Sequence, residues 1–218
     1  MYKAFIFDQD GTVCDTLETI AYYCNKTLKK YGLHTFEKDR YKYFAGNGAR
    51  VLVSRMLKEN NINDESFLEE FLQVYKNDYE TDSLYKSKVF DGMQDALCTL
   101  KKLGMKIGLV SNKPNGAVCD VTEKLFDKNT FDFYTGLKDD MEPKPNPKTV
   151  LYAAKTFNAD PGECVYVGDT NVDMQTGKNA KMYTVGVLWG FRNYSELTKS
   201  GADYIIKSPA ELIDIAKR

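Results

Sequence analysis

Two aspartates stand two residues apart at the end of a short apolar run: Ala4-Phe5-Ile6-Phe7 leads into Asp8-Gln9-Asp10-Gly11-Thr12. Residues i and i+2 of an extended segment share a face. Asp8 and Asp10 can therefore look into one pocket, with Gly11 allowing the tight turn after them. Further on, Ser111 and Asn112 close the run Lys106-Ile107-Gly108-Leu109-Val110, Lys144 lies in a proline-rich loop, and Asp169 and Asp173 follow Cys164-Val165-Tyr166-Val167-Gly168. Singly, each has an ordinary account: an acidic loop, a helix cap, a solvated lysine. Together they carry carboxylates, a hydroxyl and an ammonium to the ends of successive apolar segments, a set that suits phosphoryl transfer. One carboxylate can attack phosphorus and form an aspartyl-phosphate. A second can protonate the leaving oxygen and then deprotonate water. Asp8 and Asp169 fit the oxygen ligation that Mg²⁺ prefers. Ser111, Lys144 and backbone N–H groups can neutralise charge on the transferred group.

These residues meet only if the apolar runs lie side by side. Continuous apolar runs closed by turn formers read as buried strands of a parallel sheet, and open parallel sheets bind ligands beyond the carboxyl ends of their strands. From residue 89 onward the chain alternates. The pattern predicts a helix over Met93–Leu103, a strand at Lys106–Val110, a helix through Val118, Val121 and Leu125, and a short aromatic strand at Phe131–Thr135. It continues with a helix at Thr149–Phe157, a strand at Cys164–Val167, a helix at Asp173–Asn179, a strand at Tyr183–Val187, an edge strand at Ala202–Ile206 and a last helix at Pro209–Ala216. This is the signature of a doubly wound α/β sheet. Residues 16–88 contain no convincing strand. Leu17, Ile20, Cys24, Leu28 and Tyr31 recur at helical spacing. A second helical stretch covers Glu37–Phe44, Gly46-Asn47-Gly48 breaks the pattern, Leu52 to Leu57 resume it, and Phe67, Leu68, Phe71, Leu72, Tyr75 and Tyr79 form another amphipathic face. Four short helices can close on a core of their own, and Asp15-Thr16-Leu17-Glu18 reads as the capping box that starts them. The expected organisation is an α/β core of residues 1–15 and 89–218, with an all-α helical-bundle cap of residues 16–88 inserted after the first strand.

The 218 residues carry a formal net charge of −1, which gives no electrostatic case for a nucleic-acid partner. No apolar stretch approaches the roughly 20 residues that span a bilayer, and no signal segment precedes the first strand. Five cysteines are scattered singly, without a Cys-x-x-Cys pair, which argues against a disulfide frame or a zinc site. A cytoplasmic protein, monomer or homodimer, is the expectation. His34 is the only histidine, so a Ser-His-Asp hydrolase or a zinc hydrolase would depend on that one residue.

The motifs together resemble the haloacid dehalogenase superfamily, in particular its phosphoglycolate phosphatase-like members with a helical cap. Four segments carry the resemblance, in order: Asp8-Gln9-Asp10-Gly11-Thr12, Val110-Ser111-Asn112-Lys113, Lys144-Pro145 and Gly168-Asp169-Thr170-Asn171-Val172-Asp173. The resemblance implies a Rossmann-like sheet with the first strand central, and a Mg²⁺-dependent phosphatase acting on a small phosphorylated metabolite. It implies Asp8 as nucleophile and Asp10 as acid/base, with Ser111 and Lys144 holding the phosphate. Mg²⁺ would take carboxylates from Asp8 and Asp169 and the main-chain carbonyl of Asp10, with Asp173 behind them. Gly11, Thr12 and Asn112 would add phosphate contacts. Phe44-Ala45-Gly46-Asn47-Gly48-Ala49-Arg50 resembles the substrate-specificity segment of such caps, which makes Asn47 and Arg50 candidates for contact with the unreacting part of the substrate. Gln9 stands where relatives more often carry a small apolar residue. Its side chain points away from the two aspartates. A sugar-phosphate mutase on the same core, or an aspartate-phosphorylated signalling switch, are the alternatives. The switch needs neither a second aspartate nor a cap.

Overall fold

The computed structural model describes residues 2–218. Strands are β1 (Ala4–Phe7), β2 (Cys14–Asp15), β3 (Lys88–Val89), β4 (Lys106–Pro114), β5 (Phe133–Leu137), β6 (Cys164–Gly168), β7 (Tyr183–Val187) and β8 (Tyr204–Ile206). Helices are α1 (Leu17–Lys30), α2 (Tyr41–Phe44), α3 (Ala49–Glu59), α4 (Glu65–Thr81), α5 (Met93–Lys102), α6 (Asn115–Leu125), α7 (Lys148–Thr156), α8 (Asn171–Asn179), α9 (Tyr194–Lys199) and α10 (Leu212–Ala216).

Six parallel strands form one sheet in the order β5-β4-β1-β6-β7-β8. All four residues of β1 are buried because helices cover both faces. Its side chains alternate as a strand requires. Phe5 and Phe7 join one apolar cluster with Met93, Leu97 and Leu100 of α5, Val118 and Val121 of α6, and Leu212 and Ile215 of α10. Ala4 and Ile6 join another on the opposite face, with Val150, Ala153 and Ala154 of α7. The register pairs Phe7 with both Leu109 of β4 and Val167 of β6. The polar residues that follow these three positions therefore emerge side by side, which is how the topology assembles the site.

Residues between β2 and β3 are helical. Helices α1 to α4 close on their own apolar cluster, in which Leu28, Tyr41, Val53, Met56 and Phe71 are buried, and Ala117 and Phe191 join it from the sheet side. The two ends of this block run antiparallel in a ribbon that pairs Cys14 with Val89 and Asp15 with Lys88. The sequence reading shows no strand there, because two residues are too few to display a periodicity.

Other departures are local. The predicted capping box at Asp15–Glu18 does not form. Thr16 is the N-cap of α1 but makes no cap bond, because its hydroxyl donates to Asp10 instead. Strand β5 begins later than expected: Phe131 turns into the core against Phe126, ring edge to face, and the Asp132 carboxylate accepts the Ile107 N–H at 2.8 Å. Helix α8 starts at Asn171, behind a capping box made by Thr170 and Asp173.

Candidate active site

Asp8 follows β1 and Lys144 lies in the loop between β5 and α7, yet their charges meet. The Lys144 ammonium, buried, donates to Asp8 Oδ1 at 2.8 Å, to Asp173 Oδ1 at 2.8 Å and to the Tyr166 hydroxyl at 3.1 Å. Its three donors are thus all used. Asn112 sets the lysine's backbone: its Oδ1 accepts the Lys144 N–H at 2.7 Å, and its Nδ2 donates to the Lys144 carbonyl at 3.1 Å. Asp173 is filled from every side. Tyr166 donates to Oδ1, while the Thr170 N–H and hydroxyl both donate to Oδ2.

Asp169 follows β6 and is inaccessible to solvent. Thr12 donates to its Oδ1 at 3.1 Å and the Phe191 N–H to its Oδ2 at 2.7 Å. Gly11 lies directly against it. With φ at +83° and a Cβ position only 2.2 Å from Asp169 Oδ2, no side chain is tolerated there.

Carboxylate oxygens of Asp8, Asp169 and Asp173 lie within 4.8 Å of one another. Burial pushes Asp8 up to about 7, Lys144 opposing and Asp173 adding to the rise. Burial and the same two neighbouring carboxylates raise Asp169 as well. Including Asp10, four carboxylates face the ammoniums of Lys144 and Lys113, which leaves two negative charges in excess. An all-oxygen donor set with that deficit fits one hard divalent cation. Asp173 has no oxygen to spare, so Asp8 and Asp169 are the carboxylates with ligand capacity.

Asp10 lines the same cavity as Asp8. Its Oδ1 accepts from Thr16 at 2.7 Å and from Lys113 at 2.9 Å. Lys113 is itself buried, and it also donates to the Tyr79 hydroxyl of α4 at 2.7 Å. A cavity of about 60 Å³ opens between the sheet and the helical block. Asp8, Asp10, Ser111, Asn112 and Lys113 line its floor, and Ile20, Leu52, Tyr75, Tyr79 and Ala45 are among the residues above.

The structure places four of the sequence-predicted contact residues away from the lining of this cavity. Thr12 is fully buried and spends its hydroxyl on Asp169, while the Gly11 N–H donates to the Cys14 carbonyl at 2.8 Å. Both build the carboxylate cluster and do not face the cavity. Asn47 accepts from Arg55 at 2.8 Å, and it is Gly46 and Gly48 on either side that line the cavity. Gly48, at φ +88°, would bring a Cβ within 3.2 Å of the Asn112 carbonyl, so the loop can lie close to the sheet there. Arg50 points outward from α3 and pairs with Glu65 and Glu69 of α4. One helical step separates it from the lining residue Ala49, enough to turn it by about 100°.

Several residues at the site carried no assignment from sequence. Lys113 was visible as a third polar residue ending β4. Tyr79 and Tyr166 sit at regular apolar positions of a helix and a strand, where only tertiary placement shows the use of their hydroxyls. The segment after β7 carries no motif, yet it bonds to both the carboxylate cluster and the helical block. The Trp189 indole N–H donates to the Thr12 carbonyl at 2.9 Å, Phe191 holds Asp169, and the buried Arg192 guanidinium donates to the carbonyls of Lys42 and Ala45.

Comparison with known proteins places these features. A family model described as haloacid dehalogenase-like hydrolase matches residues 5–187. A phosphoglycolate phosphatase of Aquifex aeolicus is 30% identical over 98% of this chain and 96% of its own. An N-acetylmuramic acid 6-phosphate phosphatase of Pseudomonas putida is 28% identical over 96% and 94%. A crystal structure from Lactobacillus delbrueckii subsp. bulgaricus, described as that of a phosphoglycolate phosphatase, superposes with a TM-score of 0.93 at 32% identity, covering 99% of this chain and 98% of that one. Among the described residues, no helix is long and apolar enough to cross a membrane.

Proposed function

Starting from a chain that belongs to the haloacid dehalogenase-like hydrolases, we propose that it is a divalent-metal-dependent phosphomonoesterase for a small phosphorylated metabolite, working through an aspartyl-phosphate. The observation that carries the reading is the buried Asp8–Lys144–Asp173 cluster with Asp169 beside it and Asp10 facing the same cavity. Relatives named as phosphoglycolate phosphatases make phosphoglycolate the first substrate to try.

In this reading Asp8 attacks phosphorus. Lys144 fixes the carboxylate's orientation so that its free oxygen faces the cavity, and it offsets charge on the phosphoryl oxygens. Ser111 donates to one of those oxygens. Asp10, held by Thr16 and Lys113, gives a proton to the leaving oxygen and later takes one from the water that cleaves the acyl-phosphate. Mg²⁺ held by Asp8, Asp169 and the Asp10 carbonyl would supply charge neutralisation at the transferred group. Asp173 keeps Lys144 and the start of α8 in place. Residues 16–88 act as the cap, excluding water while the group transfers.

The test is phosphate release from a panel of phosphorylated metabolites by the purified protein, with Mg²⁺ and with chelator. Release that requires Mg²⁺ supports the reading. Full activity in chelator, or no release from any member of the panel, overturns it.

A further inference from the structure

We infer that Gln9 is a positioning residue for the transfer step. Its side-chain amide anchors the turn that carries Asp8 and Asp10 to helix α6, and so to the segment that carries Ser111 and Lys113. This goes beyond the phosphomonoesterase reading and rests on it for the step whose rate is measured.

The first argument is what joins the two segments. The paired register of β1 and β4 ends at Phe7 and Leu109. Asp8 and Asp10 lie beyond that end on one strand, Ser111 and Lys113 on the other. Among the described residues, the side chains that bond directly across are Lys113 and Gln9. Lys113 donates to Asp10 Oδ1 at 2.9 Å. Gln9 Nε2 donates to the Thr122 hydroxyl at 3.2 Å and to the Val118 carbonyl at 3.4 Å, both on α6. Helix α6 begins at Asn115, directly after β4, so an anchor on α6 is an anchor on the segment before it.

The second argument is which anchor outlasts the reaction. In the proposed cycle Asp10 gives up a proton and later takes one back. A hydrogen bond to an ionised group is about twice as strong as a neutral one, so the Lys113–Asp10 bond weakens whenever Asp10 is protonated. The amide of Gln9 does not titrate. Its bonds to α6 are the same at every stage.

The third argument is leverage. Gln9 continues the face of Phe5 and Phe7, which pack toward α5, α6 and α10, while Asp8 and Asp10 continue the face of Ala4 and Ile6. Rotation of the segment about its own axis swings both faces together. Fixing Gln9 on one face therefore fixes the direction of both carboxylates on the other. The Gln9 carbonyl also accepts the N–H groups of Thr12, Val13 and Cys14 at 3.3, 3.1 and 3.0 Å, so the same residue closes the turn behind them.

The fourth argument is cost. Gln9 is fully buried, and its Oε1 has no hydrogen-bond partner among the described residues. A buried acceptor left unpaired destabilises a fold, and the two donor contacts are at the long end of the range. A methionine has nearly the same length and no such atom. Packing alone gives no reason for an amide here; holding two carboxylates in place does.

The experiment is a double-mutant cycle of wild type, Gln9→Met, Thr122→Val and the double variant. It uses phosphate release from 4-nitrophenyl phosphate with Mg²⁺, well below melting, and thermal melts in chelator. Gln9→Met should melt at or above wild type. Its kcat should fall about tenfold, since a misplacement of 1 Å can cost about 100-fold, with KM within about twofold. Thr122 does not line the cavity, yet Thr122→Val should lower kcat by about 2- to 10-fold, the worth of a neutral hydrogen bond. The double variant should lose no more than Gln9→Met alone, because both remove one link. If Gln9→Met melts too low to assay, Thr122→Val decides: a fall in kcat at unchanged KM supports the anchor, and an unchanged kcat overturns it. A Gln9→Met kcat within twofold of wild type, or losses that multiply in the double variant, also overturns the anchor and leaves the phosphomonoesterase reading standing. If wild type releases no phosphate from this ester or from any phosphorylated metabolite, the phosphomonoesterase reading itself fails, and the anchor with it.

Discussion

The floor of the cavity and its roof differ in how their polar groups are held. On the floor, Asp8, Lys144, Asp173 and Asp169 are interlocked across three chain segments, and Asp173 alone accepts bonds from Lys144, Tyr166 and Thr170. On the roof the lining is mostly apolar, and its polar links to the core are scattered single bonds, among them Tyr79 to Lys113, Thr16 to Asp10, the Gly46 carbonyl to Asn112, and the carbonyls of Lys42 and Ala45 to Arg192. A floor that is over-determined can hold reacting groups to a fraction of an ångström. A roof joined by a few bonds can lift, and it can be rebuilt without disturbing them. Substitutions on the two sides should therefore fail in different ways.

The largest effect is expected at the floor. Asp8→Asn should fold and bind metal weakly but show no turnover, because an amide cannot form the acyl-phosphate. Asp10→Asn should lose about 10²- to 10⁴-fold, the usual worth of acid/base help. Steady-state phosphate release by both purified variants checks this. Near-normal turnover by Asp8→Asn would remove the nucleophile from its place.

Next comes the linkage of metal and proton. With Asp8 raised to about 7 in the metal-free protein, Mg²⁺ must displace a proton below that pH. Apparent Mg²⁺ affinity should then rise about tenfold per pH unit up to about 7 and level off above. The sign for stability is the reverse. Asp8 titrates higher folded than unfolded, so its contribution is present below the unfolded value near 3.8 and is lost as pH rises through about 7. Thermal melts of chelated protein at pH 5 and pH 8, with and without Mg²⁺, should show the cation rescuing more at pH 8. A rescue independent of pH would contradict the placement of that proton.

The roof should respond more mildly. Arg192→Met removes the donors on the Lys42 and Ala45 carbonyls and strands Glu196, whose Oε1 the guanidinium holds at 3.0 Å. We expect kcat/KM to fall about tenfold or somewhat more, with the segment around Gly46 cut faster in limited proteolysis. Unchanged proteolysis with an unchanged KM would show that Arg192 does not fasten the roof. The smallest effect belongs to Arg50→Ala. Its partners Glu65 and Glu69 are exposed, and such pairs contribute at most about 1 kcal/mol. Activity should stay within about twofold, and a selective loss on an anionic substrate would return Arg50 to the cavity.

The same contrast explains what could be read from the chain. The floor is written in local patterns: an apolar run that stops at Asp8, another at Ser111, another at Asp169. Each strand end is short-range information, and the parallel topology does the rest. The roof is written in distances. Nothing near Tyr79 distinguishes it from Tyr75, four residues earlier on the same face. Its hydroxyl acquires a use only because α4 crosses above Lys113. Thr12 and Thr16 look like turn and cap residues, and their hydroxyls are instead spent on Asp169 and Asp10. Arg50 shows the converse, since a charge beside a glycine loop resembles a ligand contact until the helix phase is known.

The ribbon of β2 and β3 has a consequence for descent. A block that leaves the sheet at Asp15 and returns at Lys88, its two ends paired with each other, is topologically a single long hairpin loop. Everything between those ends can be lengthened, shortened or exchanged while the ribbon still closes and Asp8 keeps its register. One inherited catalytic floor could thus be fitted with successive roofs, each a separate trial at choosing a substrate.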